Sequence, residues 1–133
     1  NQFRGGTAAV FMEPIGPESG TRPLDKDFNK GVERLCRKYG ALLIFDEVVT
    51  GFRIGMAGAQ GYFGVSPDLT IFGKVIAGGY PGAGGVGGKK QYMKHLGAGL
   101  DDSGMKVKKA FTGGTMTANP LSCCAGYFTL EER

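Results

Sequence analysis

The stretch from Ala41 to Lys74, ALLIFDEVVTGFRIGMAGAQGYFGVSPDLTIFGK, constrains the fold more than any other part of the chain, because it holds two apolar runs that each end on a charged residue. Ala41 to Phe45 is continuously apolar between Gly40 and Asp46, the composition of a strand covered on both faces of a parallel sheet. Leu69 to Phe72 comes after the turn signal Ser66-Pro67-Asp68 and closes on Gly73-Lys74, so it reads as the next strand. Asp46 and Lys74 then fall at the carboxyl ends of two neighbouring strands, where open α/β sheets bind their ligands in a crevice. An acid and an amine delivered to one crevice form the functional centre of this reading.

The flanking segments fit the same plan. Ala8 to Met12 is apolar and stops at Glu13-Pro14, where proline removes a ladder donor and ends the strand. After a loop from Ile15 to Pro23, Asp25 to Tyr39 spaces Phe28, Val32, Leu35, Cys36 and Tyr39 as a helix does, with Asp25 as N-cap and Gly40 as C-cap. Strand, helix, strand in that order predicts a parallel pair joined by a crossover. The glycines at 51, 55, 58, 61 and 64 predict an irregular loop from Gly51 to Gly64, with Arg53, Gln60 and Tyr62 as side chains it could aim at a ligand. After Lys74 the glycine-dense stretch Val75 to Gly88 turns tightly and resumes an extended path at Gly84 to Gly88. A short helix is expected over Gln91 to Leu96, a strand over Val107 to Phe111, and a final helix opened by Asn119 as N-cap and Pro120 at its first position.

Other chemistries find less support. The net charge of +4 is modest and the basic residues are scattered apart from Lys89-Lys90 and Lys106 to Lys109, so neither a nucleic-acid surface nor such a partner is expected. Three cysteines and the lone His95 give neither a disulfide framework nor a metal-ligand spacing, and no metal is expected. Cys123 and Cys124 read as small packing residues in a helix and His95 as a surface residue. No apolar run reaches the roughly 18 residues of a membrane span and no signal-peptide pattern opens the chain; a reducing, intracellular setting, cytoplasmic or an organellar lumen, is the expectation. LLIFDE also resembles the magnesium-binding strand of a P-loop ATPase, but Val75 stands after Gly73-Lys74 where Ser or Thr is needed. Gly82, Gly84 and Gly87 spell G-x-G-x-x-G without a clear strand before or a clear helix after them. Because the 133 residues start without methionine and stop inside a helical pattern, they are expected to be part of a longer protein.

Four segments carry a resemblance: AAVFMEPI at 8 to 15, LLIFDEVVTGFR at 42 to 53, GAQGYFGVSPDLTIFGKVIAGG at 58 to 79 and GTMTANPL at 114 to 121. In these, and in their order, the chain resembles the class III pyridoxal-phosphate aminotransferases, and within them glutamate-1-semialdehyde aminomutase and its relatives. The resemblance implies an α/β fold, the central part of a fold-type I pyridoxal-phosphate transferase large domain with a mostly parallel sheet and flanking helices. Residues 1–133 would then be a partial cofactor-binding domain. It also implies pyridoxal 5'-phosphate as cofactor, small amino and carbonyl compounds as substrates, and a homodimer with shared active sites.

Carried over by motif, Lys74 would be the catalytic lysine that forms the Schiff base with the cofactor aldehyde. Asp46 would pair with the pyridinium nitrogen, the partner this cofactor needs to act as an electron sink, and Val48 would pack on the ring face. Thr115 matches a threonine that reaches the cofactor phosphate of the neighbouring subunit, and Glu18 stands where some ω-aminotransferases keep a glutamate paired with a substrate-gating arginine. Two departures blur the subfamily: GGYPGAGGVGG differs from the commoner aminomutase wording, and Val49 replaces a glutamine of many ω-aminotransferases. The implied activity is transfer of an amino group between an amino acid or amine and a carbonyl compound, with intramolecular transfer, as in the aminomutase, as the alternative. A nucleotide-hydrolysing segment and a non-catalytic interaction module are the distant ones.

Overall fold

The computed structural model describes residues 6–97, 99 and 103–131. Three strands, β1 (Ala9–Met12), β2 (Leu42–Asp46) and β3 (Leu69–Gly73), run parallel, and a fourth, β4 (Gly84–Gly88), lies antiparallel on β3, in the order β1-β2-β3-β4. The register sets Met12 beside Phe45 and Asp46 beside Ile71, so the carboxyl ends of the three parallel strands finish nearly level. This is the mostly parallel α/β sheet that the family resemblance implies, with the parallel β1–β2 pair that strand, helix, strand predicts.

Because side chains alternate along a strand, β2 sends Leu43 and Phe45, both 0 % exposed, to one face and Ile44 and Asp46 to the other. On the first face they meet Cys36 of the helix α2 (Phe28–Tyr39), with Val10, Met12, Val32, Phe63 and Val65 packed around them. Burying a phenylalanine and a leucine of this kind stabilises by roughly 2–3 kcal/mol each. Only part of the expected apolar stripe of α2 is used: Val32 and Cys36 join the core, whereas Leu35 and Tyr39 stay more than half exposed.

Four local expectations need correction. The helix α2 starts at Phe28 with Asp27, not Asp25, as its N-cap, because the chain first makes a turn in which Phe28 N–H donates to the Asp25 carbonyl at 3.0 Å. Its other end is as expected: Gly40 takes a left-handed φ of 68° and donates to the Cys36 carbonyl. The glycine-rich stretch 51–64 is not wholly irregular but contains α3 (Gly58–Phe63), whose opening amides are held from outside by Glu47 and whose end is closed by left-handed Gly64. Val107 to Phe111 forms no strand; Val107 N–H and Ala110 N–H donate instead to the carbonyls of Gly99 and His95, and His95 Nδ1 lies 2.9 Å from the Lys108 carbonyl. Finally, Cys123 and Cys124 in α5 (Pro120–Glu131) are exposed rather than buried. The start of α5 is as expected, with Asn119 Oδ1 accepting from Leu121 N–H at 3.0 Å and Ser122 N–H at 3.2 Å.

Two short helical pieces complete the fold: α1 (Pro17–Gly20), in which Glu18 and Ser19 adopt left-handed angles, and α4 (Lys90–Met93). At the amino ends of the strands Asp68, just before β3, is 1 % exposed and ties α2 and β2 to the residue after β4. Its Oδ2 accepts from Arg37 Nη1 of α2 at 2.7 Å and from Leu43 N–H of β2 at 2.9 Å, and its Oδ1 from Lys89 Nζ at 2.7 Å. Burial works to raise the Asp68 carboxyl, but the bonds from Lys89, Leu43 N–H and Arg37 outweigh it and hold the group below the usual aspartate range.

Candidate active site

The opposite end of the sheet is built from the residues that end or succeed each parallel strand. Asp46 is the last residue of β2, half-buried, on the face away from α2. Its Oδ1 accepts from Val48 N–H at 3.1 Å, and among the described residues Oδ2 has no partner. Beside it opens a crevice of about 280 Å³ lined by Phe11, Met12, Glu13, Pro17, Leu24, Phe28 and Asp46. A carboxylate with one oxygen fixed and the other open to a crevice can accept a proton-bearing nitrogen.

Lys74 comes directly after β3 and opens a 3-10 turn, Lys74–Ala77, closed by left-handed Gly78. It is exposed and has φ 47°, in the left-handed region that a side chain with a Cβ seldom adopts and that costs of order 1–3 kcal/mol when held. Among the described residues no carboxylate pairs with its amine. The preceding Gly73 brings the two strand ends together: a Cβ built there would lie 3.1 Å from Val48 Cγ1, so Val48 packs directly against the backbone that carries Lys74. Asp46, Val48 and Lys74, singled out from sequence, are therefore gathered at one end of β2 and β3.

Glu18 and Thr115 stand apart from these three. Glu18 is exposed in the left-handed turn after β1, its Oε2 accepting from Thr21 Oγ1 at 3.3 Å, one residue from the Pro17 that lines the Asp46 crevice. Glu13 steadies that turn, its Oε2 accepting from Ser19 N–H at 3.1 Å. Thr115 is exposed in the turn spanning 115–118 before α5. That helix packs on the 3-10 turn of Lys74, leaving a cleft of about 290 Å³ lined by Ile76, Ala77, Met116, Ser122 and Tyr127 among others, but Thr115 does not line it. Of the glycine-loop side chains, Arg53 Nε donates to the Val49 carbonyl at 2.9 Å, Gln60 is turned inward and Tyr62 is exposed against Phe63.

Sequence reasoning missed Glu47. It is 0 % exposed, and its carboxylate accepts from Ala59 N–H (2.6 Å), Thr50 Oγ1 (3.0 Å), Gln60 N–H (3.1 Å) and Gln60 Nε2 (3.2 Å). The signal available was an acid with a threonine three residues on, a spacing that favours a local side-chain bond; the long-range donors left no trace in the sequence. Gly58 is required by this arrangement, since a Cβ at its φ of 58° would collide with Glu47 Oε2.

The profile of the aminotransferase class-III family matches residues 2–132. Glutamate-1-semialdehyde 2,1-aminomutase 1 of Staphylococcus aureus (strain MW2) is 44 % identical over 131 residues, which cover 98 % of this chain and 28 % of that protein. Among solved structures, an ω-transaminase from Sphaerobacter thermophilus superposes with a TM-score of 0.74 at 37 % identity, over 93 % of this chain and 27 % of that one. A glutamate-1-semialdehyde aminomutase from Pseudomonas aeruginosa PAO1, in complex with PMP, superposes with a TM-score of 0.68 at 30 % identity, over 93 % and 27 %. The chain thus spans a little over a quarter of the length of such relatives, and the match covers 98 % of this chain in sequence and 93 % in fold. The chain belongs to the aminotransferase class-III family.

Proposed function

We propose that these residues are the central part of the large domain of a pyridoxal-phosphate-dependent class III aminotransferase, which moves an amino group between an amino acid or amine and a carbonyl compound. The observation that carries the reading is the pairing of Lys74, without a carboxylate partner among the described residues, with a half-open Asp46 at adjacent strand ends, in a chain of this family. The residues fit the cofactor: Asp46 Oδ2 is available to a ring N–H, Val48 presents an aliphatic wall beside Gly73, and no described carboxylate competes for the Lys74 amine. Related solved structures are described as holding PLP or PMP. When bound, pyridoxal phosphate supplies an electrophilic aldehyde for amino groups and a ring that takes up the electrons of a breaking C–H bond.

The chain's own residues do the rest. Lys74 Nζ would hold the cofactor aldehyde, and as a free amine it would carry a proton to and from the substrate carbon. Asp46 would accept the ring N–H and so favour its protonated form, and Val48 would offer an aliphatic wall to the ring. Thr115 serves the phosphate site of a second subunit in a homodimer, and Glu18, next to the crevice-lining Pro17, pairs with a substrate-gating arginine. Transfer within one molecule is the second reading, favoured by the 44 % identity to an aminomutase. Borohydride reduction of the full-length protein and subsequent peptide mapping test the proposal: the label belongs on Lys74. A label on Lys89 or Lys90, or on no lysine, overturns it.

A further inference from the structure

Asp46 and Val48 flank a residue whose every polar group is engaged. Glu47 N–H donates to the Ile71 carbonyl of β3 at 2.9 Å, its carbonyl accepts from Gly51 N–H at 2.8 Å, and its buried carboxylate takes four donors from the segment 50–60. Gln60 Nε2 extends the network at 3.4 Å to Thr70 Oγ1, itself 4 % exposed on β3. Asp46, the last residue of β2, points to the face opposite that of Phe45, and Val48, in the turn that follows, packs against Gly73 of β3. A residue anchored at its amide, its carbonyl and its side chain leaves its two neighbours little rotational freedom.

We propose that Glu47, through Gln60 and Thr70, is a positioning residue that fixes Asp46 and Val48 as one wall against the β3 end bearing Lys74. It touches neither substrate nor cofactor. The proposal rests on the reading of Asp46 as the partner of the cofactor ring nitrogen, and it goes beyond that reading in assigning the direction of the Asp46 carboxylate to a network on the other face of the sheet. In Glu47→Gln an amide N–H2 would oppose the N–H donors of α3, so that variant can fail to fold. Gln60→Met keeps the length of a half-buried side chain and removes only the two Nε2 bonds, and Thr70→Val, nearly isosteric, removes one.

The test is a double-substitution cycle on the full-length apoprotein, reading pyridoxal-phosphate affinity by absorbance titration, with far-UV circular dichroism to establish that each variant is folded. Gln60→Met is expected to weaken binding by about five-fold, the scale of one to two misplaced hydrogen bonds, and to have no further effect when added to Asp46→Ala. Thr70→Val is expected to show the same dependence with a smaller loss. A merely structural network would weaken binding by the same factor with or without Asp46, and that result overturns the proposal, as does wild-type affinity in both folded variants. A wild-type protein that binds no pyridoxal phosphate overturns the aminotransferase reading and this proposal together, whereas additive losses in a protein that binds it overturn this proposal alone.

Discussion

The two ends of the same sheet treat the same residue types in opposite ways. At the amino ends, Asp68 is 1 % exposed and takes bonds from Arg37, Lys89 and Leu43 N–H, so its charge is paired on every side. At the carboxyl ends, Asp46 is half-buried with one amide on Oδ1, and Lys74 stands at a left-handed φ of 47° without a carboxylate partner among the described residues. Two aspartates and two lysines, each a residue or two from a strand end, are thus completed by the fold at one pole and left incomplete at the other. Folding alone favours completion, since a buried polar group without a partner costs about 1–3 kcal/mol. On the function proposed above, the half-buried acid with one open oxygen and the left-handed backbone at Lys74 are what a bound cofactor would complete.

The contrast can be broken by exchanging the consequences. The largest expected effect is at the open pole: Asp46→Ala in the full-length enzyme should lower turnover by roughly a thousand-fold, about 4 kcal/mol of barrier, while the urea-unfolding midpoint shifts by no more than the loss of the single bond to Val48 N–H implies, about 1 kcal/mol. Turnover near that of the wild type would remove Asp46 from the mechanism. At the closed pole the balance should invert. Asp68→Ala leaves the buried Leu43 amide without its acceptor and frees two part-exposed cations, and should cost about 2–3 kcal/mol of stability, with pyridoxal-phosphate affinity retained in the folded fraction. The pH dependence has a definite sign. A carboxyl held below its ordinary value of about 3.9 contributes its stability fully above that value and loses it as pH falls through the depressed folded value. The gap in stability between wild type and Asp68→Asn should therefore be constant above about pH 5 and close below about pH 4; a gap that persists into strong acid would show that the ion pairs contribute nothing.

Both poles were visible in the sequence to different degrees. The apolar runs 41–45 and 69–72 predict β2 and β3 within a residue at either end, because a doubly covered strand must be continuously apolar. The positions of Asp46 and Lys74 come from where those runs stop. Asp68 reads only as part of a turn signal, since its partners Arg37 and Lys89 lie 31 and 21 residues away in sequence. Glu47 was hidden for the same reason: its donors Ala59 and Gln60 come from a glycine-rich stretch whose propensities argue against helix, and α3 exists there because that carboxylate caps it. Val107 to Phe111 shows the opposite failure. Its apolar ends suggest a strand, but strands need a ladder, and the carbonyls it finds are the isolated ones of Gly99 and His95.

The smallest expected effect compares the two lysines directly. Lys89→Met keeps the aliphatic stem and the backbone bond from Lys89 N–H to the Asp68 carbonyl at 3.1 Å, and removes only the Nζ contact. The lysine side chain is 40 % exposed, so water screens much of the pair and its contribution is discounted to the surface range, about 1 kcal/mol or less. Asp68 keeps Arg37 Nη1 and Leu43 N–H, which is why the loss falls well short of that in Asp68→Ala. Added salt should narrow the difference between wild type and Lys89→Met further, because exposed charges are screened within about 10 Å at 0.1 M. Lys74→Met should give the mirror image: unchanged stability, since no ion pair among the described residues is lost, and, on the function proposed above, no turnover, since the amine assigned to the cofactor aldehyde and to the proton is gone. Urea midpoints and turnover measured on the two variants side by side decide the matter. A Lys89→Met protein that folds normally but is inactive, or a Lys74→Met protein that turns over substrate, would show that the open and closed poles have been assigned the wrong way round.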